Sequence, residues 1–185
     1  MTIEAIEWIV GNVKKKTLAL FDFDGTITRK DSFIAFLFHS LGIPKLLFCG
    51  IVMSTVVVLY LLKIITNEKA KEAMTGFCYR GWTEDRFIRA GGLFAREVLP
   101  RLLRESALKR IEWHKARGHE VHVVTASANY WIEAWTNLMG IGLISTKLEM
   151  KEGKFTGRFL TRNCYGAQKV NRIRSEIDYD SYDYV

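Results

Sequence analysis

The stretch Leu18-Ala-Leu-Phe-Asp-Phe-Asp-Gly-Thr-Ile-Thr28 constrains this chain more than any other. A short apolar run ending in a turn signal marks a strand buried in a parallel sheet. Side chains alternate along a strand, so Asp22 and Asp24 are expected to point the same way near its C-terminal end. Gly25 permits the sharp turn that follows. Open α/β sheets bind ligands in the crevice outside the carboxyl ends of their strands. Two carboxylates there form a hard-oxygen site suited to Mg²⁺, with one of them free to attack a phosphorus atom. A lone strand-end Asp more often caps a turn; the pair, in this setting, argues for chemistry.

The 185 residues fit one domain, or a core with a modest insertion, and 49% hydrophobic content supports a packed core. A net charge of +7 favours anionic partners such as phosphorylated metabolites or anionic lipid. No basic stripe interleaved with aromatics supports nucleic acid, and no such partner is expected. Cys49, Cys78 and Cys164 are odd in number and lack Cys-x-x-Cys spacing, so they read as free thiols in a reducing compartment. The acidic N-terminus argues against a signal peptide. The expected location is cytoplasmic, or peripheral at the inner face of the cytoplasmic membrane.

Residues 3–13 pattern as a short amphipathic helix, followed by Lys14-Lys-Lys16. The region from Ser32 to Thr66 is apolar, and Leu46 to Leu62 carries no charge between Lys45 and Lys63. A simple membrane span would put Asp22 and the later part of the chain on opposite sides of the bilayer. Two settings remain: a helical hairpin buried in a cap bundle, or one lying in the membrane interface. Thr83 is expected to cap a helix, Leu102 to Arg117 to form a basic amphipathic helix, and Glu120 to Thr125 a second buried strand. Ala126 to Asn129 would open a helix reaching about Met139, so Thr125 and the following N–H groups, Ala126 first, form a ready phosphate site. Ile144 to Leu160 reads as a hairpin turning at Lys151-Glu-Gly-Lys154. A helix follows over 167–177, with Lys169 in its first turn, where a cation opposes the helix dipole. That misfit hints at a function. Tyr182 to Val185 looks like the start of a third core strand.

The order of Asp-Phe-Asp-Gly-Thr, a strand ending in Thr125, and Lys169 early in a helix resembles the haloacid dehalogenase superfamily of phosphohydrolases. Its phosphoserine-phosphatase-like branch is the nearer match, and residues 146–170 with the apolar cap resemble the subgroup related to phosphatidylglycerophosphatase C. The resemblance implies an α/β doubly wound parallel sheet, Rossmann-like, formed by 1–31 and 106–185, with a helical cap at 32–105. It makes Asp22 the nucleophile that forms an aspartyl-phosphate, and Asp24 the acid and base. Mg²⁺ would be held by the Asp22 carboxylate and the Asp24 carbonyl. Thr125, Ala126 and Lys169 would bind phosphate. Arg29 and Asp31, at the entrance to the cap, are weaker candidates for substrate contact; Asp31 could equally cap a helix. The implied substrate is a phosphomonoester, either a phospholipid headgroup or a small soluble phosphate such as phosphoserine. The family's fourth motif, an acidic loop after the next core strand, would follow Val185; Asp178, Asp180 and Asp183 do not replace it. The expectation is therefore a core cut short of its full metal shell, with a non-catalytic membrane-associated or phosphate-binding module as the rival.

Overall fold

The computed structural model describes residues 16–178 and 181–184. The expected helix over 3–13, Lys14, Lys15 and Asp180 lie outside them. Strand β1 (Lys16–Phe21) lies parallel between β2 (Glu120–Ala128) and β6 (Tyr182–Tyr184), and β3 (Gly142–Thr146) flanks β2, giving the order β3-β2-β1-β6. The chain leaves β1 toward β2 and returns on its other side with β6, so the sheet's switch point lies at the C-terminal end of β1. Alternation along β1 divides its side chains between two layers. Ala19 and Phe21 join the larger core with Val121, Val123, Ile111 and Trp135. Leu18 and Leu20 pack with Val124, Ile144, Cys164 and Ile173 on the opposite face. Helices α5 (Glu105–Lys115) and α6 (Glu133–Met139) supply the first layer, and α7 (Ala167–Glu176) covers the second. Asp22 follows Leu18 and Leu20 in the alternation and so emerges on the α7 side.

The cap inserted between β1 and α5 is built on α1 (Ser32–Ser40), α2 (Ile43–Leu61), α3 (Asn67–Tyr79) and α4 (Glu84–Glu97). Asp31, Thr66 and Thr83 cap α1, α3 and α4 through their side-chain oxygens, and Pro44 sits in the first turn of α2. The two crossings between sheet and helices run side by side: Arg29 N–H donates to the Leu102 carbonyl at 2.8 Å and Arg104 N–H to Ile27 at 2.8 Å. That ladder needs extended backbone at Leu103 and Arg104, which breaks the helix expected over 102–117 into a turn at Leu99–Leu102 and α5. The cap is fastened to the turn that follows β2. Phe36 stacks on Trp131 at 5.1 Å and Phe87 on Tyr130 at 5.0 Å. Gly91 lets α4 lie against that turn, because a Cβ there would stand 1.8 Å from the Tyr130 carbonyl oxygen. Gly91→Ala is expected to cost about 3 kcal/mol of stability in chemical denaturation, since backbone must move on one side.

The second half of the chain differs from the expected hairpin over 144–160. Its first part is the core strand β3, with Ile144, Ser145 and Thr146 buried opposite Val124 to Ala128 of β2. A parallel partner distant in the chain leaves no local signature, so the run looked like a hairpin arm. The hairpin itself is β4 (Leu148–Lys151) with β5 (Lys154–Phe159), turning at Glu152 and Gly153, both at positive φ. It packs on the cap: Gly81 N–H donates to Phe155 O, and Phe155 N–H to Trp82 O, each at 2.9 Å. The C-terminal strand is consequently the sheet's fourth.

Burial inside the cap does not occur for the apolar stretch. Among the described residues of α2 only Cys49 is buried, while Ile43 and Ile51 are 74% exposed and Leu61 is 70% exposed. α1 and α3 pack beside it, whereas a wholly buried helix would need neighbours all round. By length and composition α2 could cross a bilayer. All three cysteines are free and buried. Cys78 lies against Cys49, and burial raises its pKa to about 12, which keeps it an inert thiol.

Candidate active site

β1 stops at Phe21, so the two carboxylates leave it in different settings rather than side by side on one strand face. The Asp22 side chain is 47% exposed, with Oδ1 accepting from Phe23 N–H at 2.8 Å and from Lys169 Nζ at 2.6 Å. Asp24 follows in a turn closed by the Thr28 N–H to the Phe23 carbonyl at 3.0 Å, with Gly25 at φ 82°. Its carboxylate is tucked between two elements. Oδ1 accepts from Ser32 N–H at 2.7 Å, and Oδ2 accepts from Ser127 Oγ at 2.6 Å. Ser32 and Ser127 are buried and lie 3.1 Å apart through their hydroxyls. Burial pushes the Asp24 carboxyl above its usual range, and the hydrogen bonds from Ser127 and Ser32 only partly offset that. One turn thus yields an accessible carboxylate and a recessed one that holds its proton more tightly than an exposed carboxyl would.

The cavity they share has a volume of about 510 Å³. Thr125, Ala126 and Lys169 line it with Asp22, Asp24 and Asp31. The helix expected to start at Ala126 is not there: β2 runs on to Ala128, with a register slip between Thr125 and Ala128. The small residues Ala126-Ser-Ala128 let the strand bulge, and Ser127 N–H turns back onto Thr125 Oγ1 at 3.1 Å. With its oxygen accepting that bond, the Thr125 hydroxyl keeps its proton to donate into the cavity. Gly166, at φ 57° and ψ −131°, starts α7 beneath the cavity and brings Lys169 to Asp22. The carboxylate offsets what the helix dipole costs that cation. Asp31 caps α1 through the Ile34 N–H at 3.0 Å and also borders the cavity, whereas Arg29 is absent from the lining.

The cap contributes groups that sequence patterns did not single out: Tyr60 from the end of α2, and Asn67 and Lys71 from α3, with Asn67 Nδ2 donating to Tyr60 Oη at 3.3 Å. Tyr165 closes the rim from the loop before α7. Ser127, two residues after Thr125 on a strand end, carried a readable signal; the cap residues reach the site only through the fold.

For a hard cation the available donors are the Asp22 carboxylate, whose Oδ2 makes no hydrogen bond among the described residues, and the Asp24 main-chain carbonyl. These oxygens fit Mg²⁺ in kind. No cluster of three or more His, Cys, Asp or Glu side chains poised for a metal occurs among the described residues. The Asp178 main-chain carbonyl accepts from Ser181 ahead of β6 and Asp178 does not line the cavity, while the Asp183 side chain lies outside the described set.

The sequence pattern described as haloacid dehalogenase-like hydrolase matches residues 19–184, from β1 through β6. The chain belongs to the haloacid dehalogenase-like hydrolase family. Protein CicA of Caulobacter vibrioides is 31% identical over 165 residues, covering 88% of this chain and 73% of that protein. Among solved structures, a Bordetella pertussis Tohama I protein of unknown function superposes with a TM-score of 0.75 at 22% identity, over 93% of this hydrolase and 80% of that chain. A phosphoserine phosphatase solved as a phospho-aspartyl intermediate analogue gives a TM-score of 0.52 at 21% identity, over 79% and 63%. At those identities the likeness speaks for the fold. Asp22 and Asp24 stand at the C-terminal end of the first strand of that shared sheet.

Proposed function

We propose that this hydrolase cleaves a phosphomonoester through an aspartyl-phosphate on Asp22, with Mg²⁺ as cofactor. The observation that carries the reading is the contrast between the two carboxylates. Asp22 is accessible, oriented by a backbone N–H and paired with Lys169, as a nucleophile facing an anion requires. Asp24 is recessed, with its pKa raised, as a proton donor to a poor alkoxide leaving group requires. The Asp22 carboxylate attacks phosphorus while Asp24 gives its proton to the departing oxygen. Asp24, now ionised, then takes a proton from the water that frees phosphate from Asp22. Thr125 and the Ala126 N–H hold phosphate oxygens, and Lys169 balances their charge against Asp22. Mg²⁺, held by Asp22 and the Asp24 carbonyl, would supply positive charge where the two anions meet.

The substrate class proposed is a phospholipid headgroup such as phosphatidylglycerophosphate, at the cytoplasmic face of a membrane. The support is Tyr60, which lies in the last turn of the exposed apolar helix α2 and lines the cavity, so an apolar tail leaving the site meets that helix. Phosphate release from phosphatidylglycerophosphate in mixed micelles, run beside phosphoserine, tests this; faster turnover of phosphoserine would reverse the assignment. Chelation is expected to stop release and Mg²⁺ to restore it. Lys169→Met should slow turnover about 10²- to 10³-fold, as loss of one positioned charge does elsewhere.

A further inference from the structure

A second hollow lies on the opposite flank of α3. At 3.6 residues per turn Asn67 and Lys71 share one face of that helix, and Lys69, Gly76 and Arg80 the other. There a cavity of about 580 Å³ is lined by Lys69, Arg80 and Arg158, with Met53, Phe77 and Glu72. None of the three cations makes an ion pair among the described residues. Glu72, the carboxylate in the lining, has Oε1 occupied by the Phe159 N–H at 2.7 Å. Arg80 is held by shape: its Nε would stand 2.7 Å from a Cβ on Gly157, so the guanidinium rests on that glycine's backbone. Gly76 in turn packs on the Gly157 carbonyl, where its own Cβ would come within 2.6 Å. Met53 also lines an apolar groove of about 430 Å³ between α1 and α2, walled by Ile34, Phe38, Leu47 and Val57.

We propose that these adjoining hollows bind an anionic phospholipid of a bilayer, its phosphate on Lys69, Arg80 and Arg158 and its acyl chains in the groove beside α2. An occupant must carry negative charge at one end and a long apolar body at the other, and a phospholipid does both. Exposed apolar side chains on α2, from Ile43 through Phe48 and Val52 to Leu61, spread over more than half its circumference. A partner helix covers a stripe, whereas acyl chains cover such an arc. Lys45 and Lys63, at the two ends, can reach the headgroup level on their flexible stems. The site does not touch Asp22, so it stands or falls separately from the proposed chemistry.

The test is co-sedimentation with vesicles of phosphatidylcholine alone, or with one third phosphatidylglycerol. The parent chain is expected to bind the anionic vesicles. Arg80→Gln with Arg158→Gln should bind them about 25-fold more weakly, at about fivefold per charge, with an unchanged thermal melt. Lys109→Gln with Lys115→Gln, which removes equal charge elsewhere on the surface, should bind like the parent. Equal losses in the two pairs, full binding by the arginine pair, or no binding of the parent to either vesicle would each overturn the proposal; the last would leave the face to a protein partner.

Discussion

Asp22→Asn is expected to lower phosphate release by about 10⁴-fold or more, with a melting temperature near that of the parent chain. The amide is isosteric and can still accept from the Phe23 N–H, so the turn after β1 keeps its geometry. What it lacks is the anionic oxygen that forms the bond to phosphorus. It also forfeits the Lys169 ion pair, but with Asp22 47% exposed that pair is screened and adds little to stability. The two readouts together distinguish lost chemistry from lost folding. A variant releasing phosphate at the parent rate would remove Asp22 from the mechanism, and with it the proposed aspartyl-phosphate.

Asp24→Asn should cost about 10²- to 10⁴-fold in turnover, and the loss should depend on the leaving group. A substrate with an alkyl leaving group needs its oxygen protonated, whereas p-nitrophenolate leaves without help. The first step of the variant should therefore be hurt far less with the aryl ester, visible as a burst of nitrophenol. Stability should move the other way. Because the folded-state pKa of Asp24 is raised, the folded protein binds its proton more tightly than the unfolded chain does. The parent therefore loses stability as pH rises from the unfolded value near 3.8 through the folded one, and the cost is full above that window. The amide carries no such cost and can still accept the Ser32 N–H. Thermal melts should place Asp24→Asn above the parent at neutral pH, with the difference closing in acid. A parent that is the more stable of the two at neutral pH would contradict this account of the buried carboxyl.

Much of the site could be read from residues alone because its parts are local. Asp-Phe-Asp-Gly-Thr carries strand, turn and two carboxylates within a few positions, and Lys169 stood out because its place in a helix's first turn conflicts with the dipole. What failed was whatever depended on a distant partner. β3 resembled a hairpin arm because its pairing with β2 leaves no periodicity. The stretch after Thr125 resembled a helix start, but the bulge in β2 kept it in the sheet through Ala128. The break at Leu103 came from a ladder with Thr28 at the other end of the cap.

Residue type and order within one strand, one turn and one helix end were enough to pick out the two carboxylates and Lys169 of the candidate site. The difference between the two carboxylates came from the folded surroundings. Asp24 acquires its raised pKa from burial between the start of the cap and the end of β2, where Ser32 and Ser127, 95 residues apart in the chain, meet at 3.1 Å and donate bonds that offset part of the rise. Burial and hydrogen bonding are properties of what surrounds a group, and those surroundings are assembled by folding.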